Sequence, residues 1–128
     1  MFIKENVNPR GKKTCDCVIR AITKATSMPY NTILDKLVEA AKKTGYAFND
    51  PKCYSKVIES LGFTKISLGK VTRGTSRPLV KDIAEKTKNN FDCYIVSCHG
   101  HLTVVMNGNV YDIWDCSDSS VYTYYKRN

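Results

Sequence analysis

The sequence predicts a single α+β domain over residues 1–128, with N-terminal helices followed by a small antiparallel β-sheet. Three observations carry this prediction. Apolar residues recur at helical spacing through most of the first two thirds of the chain and at strand spacing after residue 92. Asn107-Gly108 stands between two apolar runs, the signature of a two-residue hairpin turn. The length of 128 residues and a hydrophobic fraction of 42% suffice for one core, since a domain of this size buries roughly two thirds of the surface its unfolded chain exposes.

In chain order, residues Asn6 to Thr14 hold Asn8-Pro9, Gly11 and two lysines and read as an irregular lead-in. From Cys17 the pattern turns helical: Val18, Ala21, Ile22 and Ala25 form one face, and the helix is expected to end near Ser27, before Pro29. A second helix is expected from about Tyr30 to Thr44, with Ile33, Leu34, Leu37, Val38 and Ala41 as its stripe and Gly45 as its left-handed terminus. Asn49-Asp50-Pro51 predicts a third helix start, because an Asp or Asn cap followed by Pro suits the first turn. Tyr54, Val57, Ile58 and Leu61 face inward, and Gly62 closes it. A short strand over Phe63 to Leu68, a basic Gly-containing loop and a fourth helix near Leu79 to Lys86 follow. The remaining strands are expected at Cys93–Cys98, His101–Met106, Asn109–Trp114 and Val121–Tyr125.

The formal net charge is +8, from 20 basic and 12 acidic residues. The basic residues are spread along the chain, densest over Lys4 to Lys13, Lys65 to Arg77 and Lys126-Arg127, and read as a solvated surface. No aromatic–basic interleaving, RNP-like motif or zinc-finger spacing appears, so specific nucleic-acid binding is not expected. No apolar run approaches the ~18–20 residues of a membrane span, and the opening Met1-Phe-Ile-Lys-Glu-Asn lacks a signal-peptide apolar region. A cytoplasmic protein without membrane contact is the expectation. Six cysteines, at 15, 17, 53, 93, 98 and 116, are then expected as free thiols, most of them acting as small core hydrophobes.

One cysteine stands apart. Cys17 falls in the first turn of the first helix, where unpaired N–H groups and the helix dipole favour a thiolate. It sits at the edge of the apolar stripe beside Arg20 and Lys24, whose charge also favours the thiolate; Asp16 opposes it. Cys15 lies before the helix and is the weaker candidate. A thiol nucleophile gains from an imidazole, and the chain has two, His99 and His101. His101 opens an apolar strand and is preferred. The third group follows from parity: with a two-residue turn, Thr103 faces Asp112, and His101 shares that face. Asp112 is therefore favoured over Asp115, which a three-residue turn would select instead. An oxyanion site would use the Cys17 backbone N–H, with Asn8 or Asn6 as an upstream side-chain donor. Trp114 and Tyr111, with the cluster Tyr122, Tyr124 and Tyr125, are candidates to line a substrate groove. Cys15, Cys17, Cys98, His99 and Cys116 also supply enough ligands for zinc, though Cys-x-Cys is shorter than the usual zinc spacing. No metal or cofactor is part of the preferred reading.

Asp16-Cys17-Val18-Ile19-Arg20-Ala21-Ile22, Tyr46 to Tyr54, and Gly100 to Cys116 with its Tyr111-Asp112-Ile113-Trp114-Asp115 segment together resemble small papain-like cysteine-peptidase-fold proteins found mostly in bacteriophages and prophages. The resemblance implies a papain-like domain with Cys17 as nucleophile, His101 as base and Asp112 as orienting acid. The class implied is a thiol-dependent hydrolase or acyltransferase acting on a protein or small amide, with a host protein as possible target. A non-catalytic phage-type interaction protein that binds a host protein or nucleic-acid complex is the competing expectation.

Overall fold

A computed structural model describes residues 1–69 and 76–128. It is a mixed α+β fold of four helices and a six-stranded sheet. In chain order the elements are β1 (Phe2–Lys4), α1 (Cys17–Thr26), α2 (Tyr30–Thr44), α3 (Pro51–Ser60), β2 (Phe63–Ser67), α4 (Val80–Glu85), β3 (Cys93–Cys98), β4 (His101–Met106), β5 (Asn109–Asp112) and β6 (Val121–Arg127). The basic Gly-containing loop expected after β2 falls largely on residues 70–75, outside the described residues.

Local sequence explains the helix ends. Ser27 and Gly45 close α1 and α2 in the left-handed conformation, at φ 60° and 79°. The Asp50 carboxylate caps α3 by accepting from the Lys52 backbone N–H at 2.8 Å. Burial on α1 goes further than one stripe. Val18, Ile19, Arg20, Ala21, Ile22, Thr23 and Ala25 are all buried, so α1 is a central helix wrapped by its neighbours.

The strand order is β1-β5-β4-β3-β6-β2. All pairings are antiparallel except β1 with β5, which is parallel. The expected purely antiparallel sheet is thus corrected: a three-residue strand is too short to show a period-2 pattern, and Phe2-Ile3-Lys4 gave no strand signal. The expected order of helices before strands is corrected as well, since β1 precedes α1 and joins β5 at the sheet edge. Two cores result. Val18, Ile22, Ile33, Leu37 and Ile58 from α1 to α3 meet Ile95, Leu102, Val104 and Tyr125 of the sheet. Val80, Ile83 and Ala84 of α4 meet Val96, Cys98, Val105, Val110 and Val121.

Both hairpins that frame the candidate site use two-residue turns with left-handed residues. His99 (φ 27°) and Gly100 (φ 72°) join β3 to β4. Asn107 (φ 54°) and Gly108 (φ 75°) join β4 to β5. The register pairs Met106 with Asn109 and Val104 with Tyr111. His101, Thr103 and Val105 therefore share one side of β4, and Val110 and Asp112 continue that side on β5.

Candidate active site

Cys17 is the first residue of α1, half-buried on the wall of a cleft of about 490 Å³. The cleft lies between the starts of α1 and α3 and the β3–β4 turn. Val18, Pro51, Tyr54, Ser97, Leu102 and Tyr122 contribute to its walls. His101 opens β4 on the opposite wall, with its side chain 12% exposed. Cys17, His101 and Leu102 line this one cleft, and the imidazole and the Leu102 backbone N–H both act to lower the Cys17 thiol. The imidazole Nε2 is 2.6 Å from the Asp112 Oδ2. Nε2 is thereby committed to Asp112, and Nδ1 is the ring nitrogen left without a recorded partner among the described residues. Register alone brings Asp112 here, through the two-residue Asn107-Gly108 turn.

Asp112 is buried and heavily tied. Its Oδ1 accepts from Arg20 Nη1 at 2.9 Å and from the Ile113 backbone N–H at 2.7 Å, and the Cys116 thiol approaches Oδ2 at 3.7 Å. Arg20, 6% exposed, reaches the other way to Asp16, with Nε 2.7 Å from Oδ1. Asp16 Oδ2 accepts from the Tyr30 hydroxyl at 2.8 Å and from the Asn8 amide at 3.0 Å. A buried chain thus runs from Asn8 and Tyr30 through Asp16, Arg20 and Asp112 to His101. Each charge in it has an opposite neighbour, the condition under which buried ions persist.

The electrostatics follow from these contacts. Burial raises the Cys17 thiol, but the His101 imidazole, the Leu102 N–H and Arg20 outweigh it, and the net shift is below the ordinary value of 9.0. Burial disfavours a charged His101, yet the Asp112 carboxylate and the Cys116 and Cys17 sulfurs overcome it and push the imidazole up to about 11. Burial likewise raises Asp112, but His101, Thr103 and Arg20 hold it down at about 2. Raised imidazole and lowered thiol together favour a thiolate–imidazolium pair in a half-buried cleft.

The other expected residues lie elsewhere. The Asn8 amide is spent on Asp16, and Asn8 does not line the cleft. Asn6 donates to the Lys12 carbonyl, so both asparagines knit the lead-in. The backbone N–H of Cys17 has no acceptor among the described residues. Trp114 packs on the His101 ring, centroids 4.8 Å apart, and does not line the cleft. Tyr111 lies under the Lys24 ammonium, 4.4 Å from its centroid, beside a separate depression. Tyr122 does line the cleft, whereas Tyr124 stacks on Tyr94 and Tyr125 is buried against Ser55. His99 and Cys15 are exposed at the cleft, and Asp115 is exposed and caps Ser117.

Arg20, expected beside Cys17 as an edge cation, is instead the buried link between two carboxylates. That link and the uncharged wall residues Asn49, Tyr54 and Ser97 were missed. The only sequence signal for the link was the Asp16-x-x-x-Arg20 spacing, which on a helix brings the two side chains together. For metal binding, the Cys15, Cys17, Cys98, His99 and Cys116 set is split. Cys15 and His99 are exposed, while Cys98 and Cys116 are buried. Ligand atoms of His101, Asp112 and Cys116 do lie within 4.8 Å of one another. In the structure, however, His101 Nε2 and Asp112 Oδ2 are joined directly to each other at 2.6 Å.

Comparison with protein families, with curated proteins and with solved structures gave no match for this chain. Among the described residues no helix is long and apolar enough to cross a membrane.

Proposed function

We propose that this chain is a thiol-dependent hydrolase or acyltransferase of papain-like type, with Cys17, His101 and Asp112 as its triad. The observation that carries the reading is a shared cleft: a half-buried thiol at a helix start and an imidazole at a strand start line it together, and a buried carboxylate lies 2.6 Å from Nε2 of that ring. In this reading the Cys17 thiolate attacks a carbonyl carbon, and the developing oxyanion is met by the free Cys17 N–H. His101 protonates the leaving amine and then draws a proton from the water or amine that resolves the thioester. Asp112 holds the ring in the required tautomer, and Arg20 holds Asp112. Trp114 covers one side of the ring.

The cleft walls carry no Asp, Glu, Lys or Arg among the described residues, which suits an uncharged acyl group. An amide in a protein or a small molecule fits this chemistry. A cytoplasmic setting, phage origin and a host target remain part of this proposal and rest on the sequence resemblance. The test is acylation by p-nitrophenyl acetate. Wild-type protein should release nitrophenolate in a burst and carry one acetyl group on Cys17. Cys17→Ala should abolish both, and His101→Ala should slow the burst and stall deacylation. A burst retained in Cys17→Ala, or acetyl groups on exposed lysines alone, would overturn the reading.

A further inference from the structure

Cys15 has no part in the chemistry above, yet it is an exposed thiol on the wall of the cleft that Cys17 also lines. One residue separates them, and the chain bends there. Asp16 has φ −112° and ψ 24°, and its N–H donates to the Thr14 carbonyl at 2.8 Å. With ψ near zero the two flanking Cα atoms are drawn together, within the range of about 4.4–6.8 Å that a disulfide spans, where an extended residue would hold them apart. Cys15 precedes the helix, so its side chain is not locked by helical packing. The four other cysteines are buried, which leaves Cys15 and Cys17 as the pair open to a dissolved oxidant.

We propose that Cys15 is a resolving thiol, which converts oxidation of Cys17 by a hydroperoxide into a reversible Cys15–Cys17 disulfide. In the first step the Cys17 thiolate attacks one peroxide oxygen. The O–O bond breaks, the leaving oxygen is protonated to water or an alcohol, and Cys17 becomes a sulfenic acid, oxidised by two electrons. In the second step the Cys15 sulfur attacks the Cys17 sulfur. The S–S bond forms, the S–O bond breaks, and the Cys15 proton leaves with that oxygen as water. Overall two thiols and one hydroperoxide give one disulfide, one molecule of water from the second step, and one further water or alcohol from the first. The disulfide draws Cys17 away from His101 and blocks its nucleophilic sulfur. Its small ring makes it strained and easily reduced, which suits a switch and not a structural bond.

The inference needs the thiolate at Cys17 but not acyl transfer, so the two readings fail separately. Reduced full-length protein is treated with hydrogen peroxide, blocked with N-ethylmaleimide and digested with trypsin. Cleavage after Lys13 and Arg20 yields Thr14–Arg20, which contains Cys15 and Cys17 and no other cysteine. The expected product is this peptide lighter by two hydrogens and unlabelled, restored to two free thiols by dithiothreitol. Iodoacetamide reactivity of Cys17 should be lost and regained in parallel. In Cys15→Ser the same treatment should drive Cys17 to sulfinic and sulfonic acid, which dithiothreitol does not restore. Equal over-oxidation of Cys17 in wild type and Cys15→Ser would overturn the proposal. So would capture of either thiol by another cysteine in place of its neighbour.

Discussion

Replacement of Arg20 by Met tests the buried chain on which the candidate site stands. Methionine keeps much of the side-chain length and removes the charge. The guanidinium bridges Asp16 at 2.7 Å and Asp112 at 2.9 Å, and both carboxylates are 3% exposed. Removing one partner of a buried ion pair costs about 3–5 kcal/mol, because the other charge stays desolvated without compensation. Here Asp112 keeps the His101 ring, whereas Asp16 keeps only the neutral Tyr30 and Asn8 donors, so the penalty falls mainly on Asp16, and methionine at best regains some packing. Unfolding entropy for 128 residues is on the order of 0.27 kcal/mol/K, so the loss corresponds to roughly 10–20 °C in Tm. Against a typical domain stability of about 5–15 kcal/mol this is a large fraction. Lys24 offers the control. Its ammonium meets Glu5 at 2.8 Å, but the pair is about a third exposed, and such pairs contribute about 0–1 kcal/mol. Urea titration of wild type, Arg20→Met and Lys24→Met should therefore rank them clearly, with Lys24→Met near wild type. A loss below about 1 kcal/mol for Arg20→Met would refute the reasoning, since surface pairs reach that value and buried carboxylates would then have to be neutral.

Asp112→Asn should lift the midpoint pH for iodoacetamide labelling of Cys17, measured in a Cys15→Ser background, because His101 loses the carboxylate that raises it; each unit of upward shift slows labelling at neutral pH about tenfold, and an unmoved midpoint would contradict the assignment. Stability should also fall at both pH extremes. Asp112 titrates at about 2 when folded and 3.8 otherwise, so its contribution of about 2 kcal/mol is present above 3.8 and lost as pH falls toward 2. His101 has the opposite sign: its contribution is complete below 6.5 and lost as pH rises toward 11. Chemical denaturation across pH should show both limbs in wild type and a flatter acid limb in Asp112→Asn.

The sequence was most informative where structure depends on near neighbours. The ends of α1 and α2 follow from Ser27 and Gly45, and the α3 start from Asp50-Pro51, because capping is settled within a turn. The place of Asp112 beside His101 was legible too, since the Asn107-Gly108 turn fixes parity across one hairpin. Partners far apart in the chain were not. β1 pairs with β5 across more than a hundred residues, and its three residues carry no pattern of their own. The place of β6 between β3 and β2 depends on packing of the whole sheet. Arg20 illustrates the same limit: one of its two partners is a carboxylate 92 residues away, and on the wheel of α1 it stood only as a cation beside Cys17. Asn8 was judged by its chemistry, but folding gave its amide to Asp16.

The two tight hairpins leave this protein unequal freedom to change. A residue added between Met106 and Asn109 would reverse which way every side chain of β5 points, turning the carboxylate at 112 away from the ring at 101. The stretch from Ile113 to Ser120, which sets no such alternation, could grow or shrink without that penalty. Related chains that keep this chemistry should therefore vary in length in the second place and hardly ever in the first.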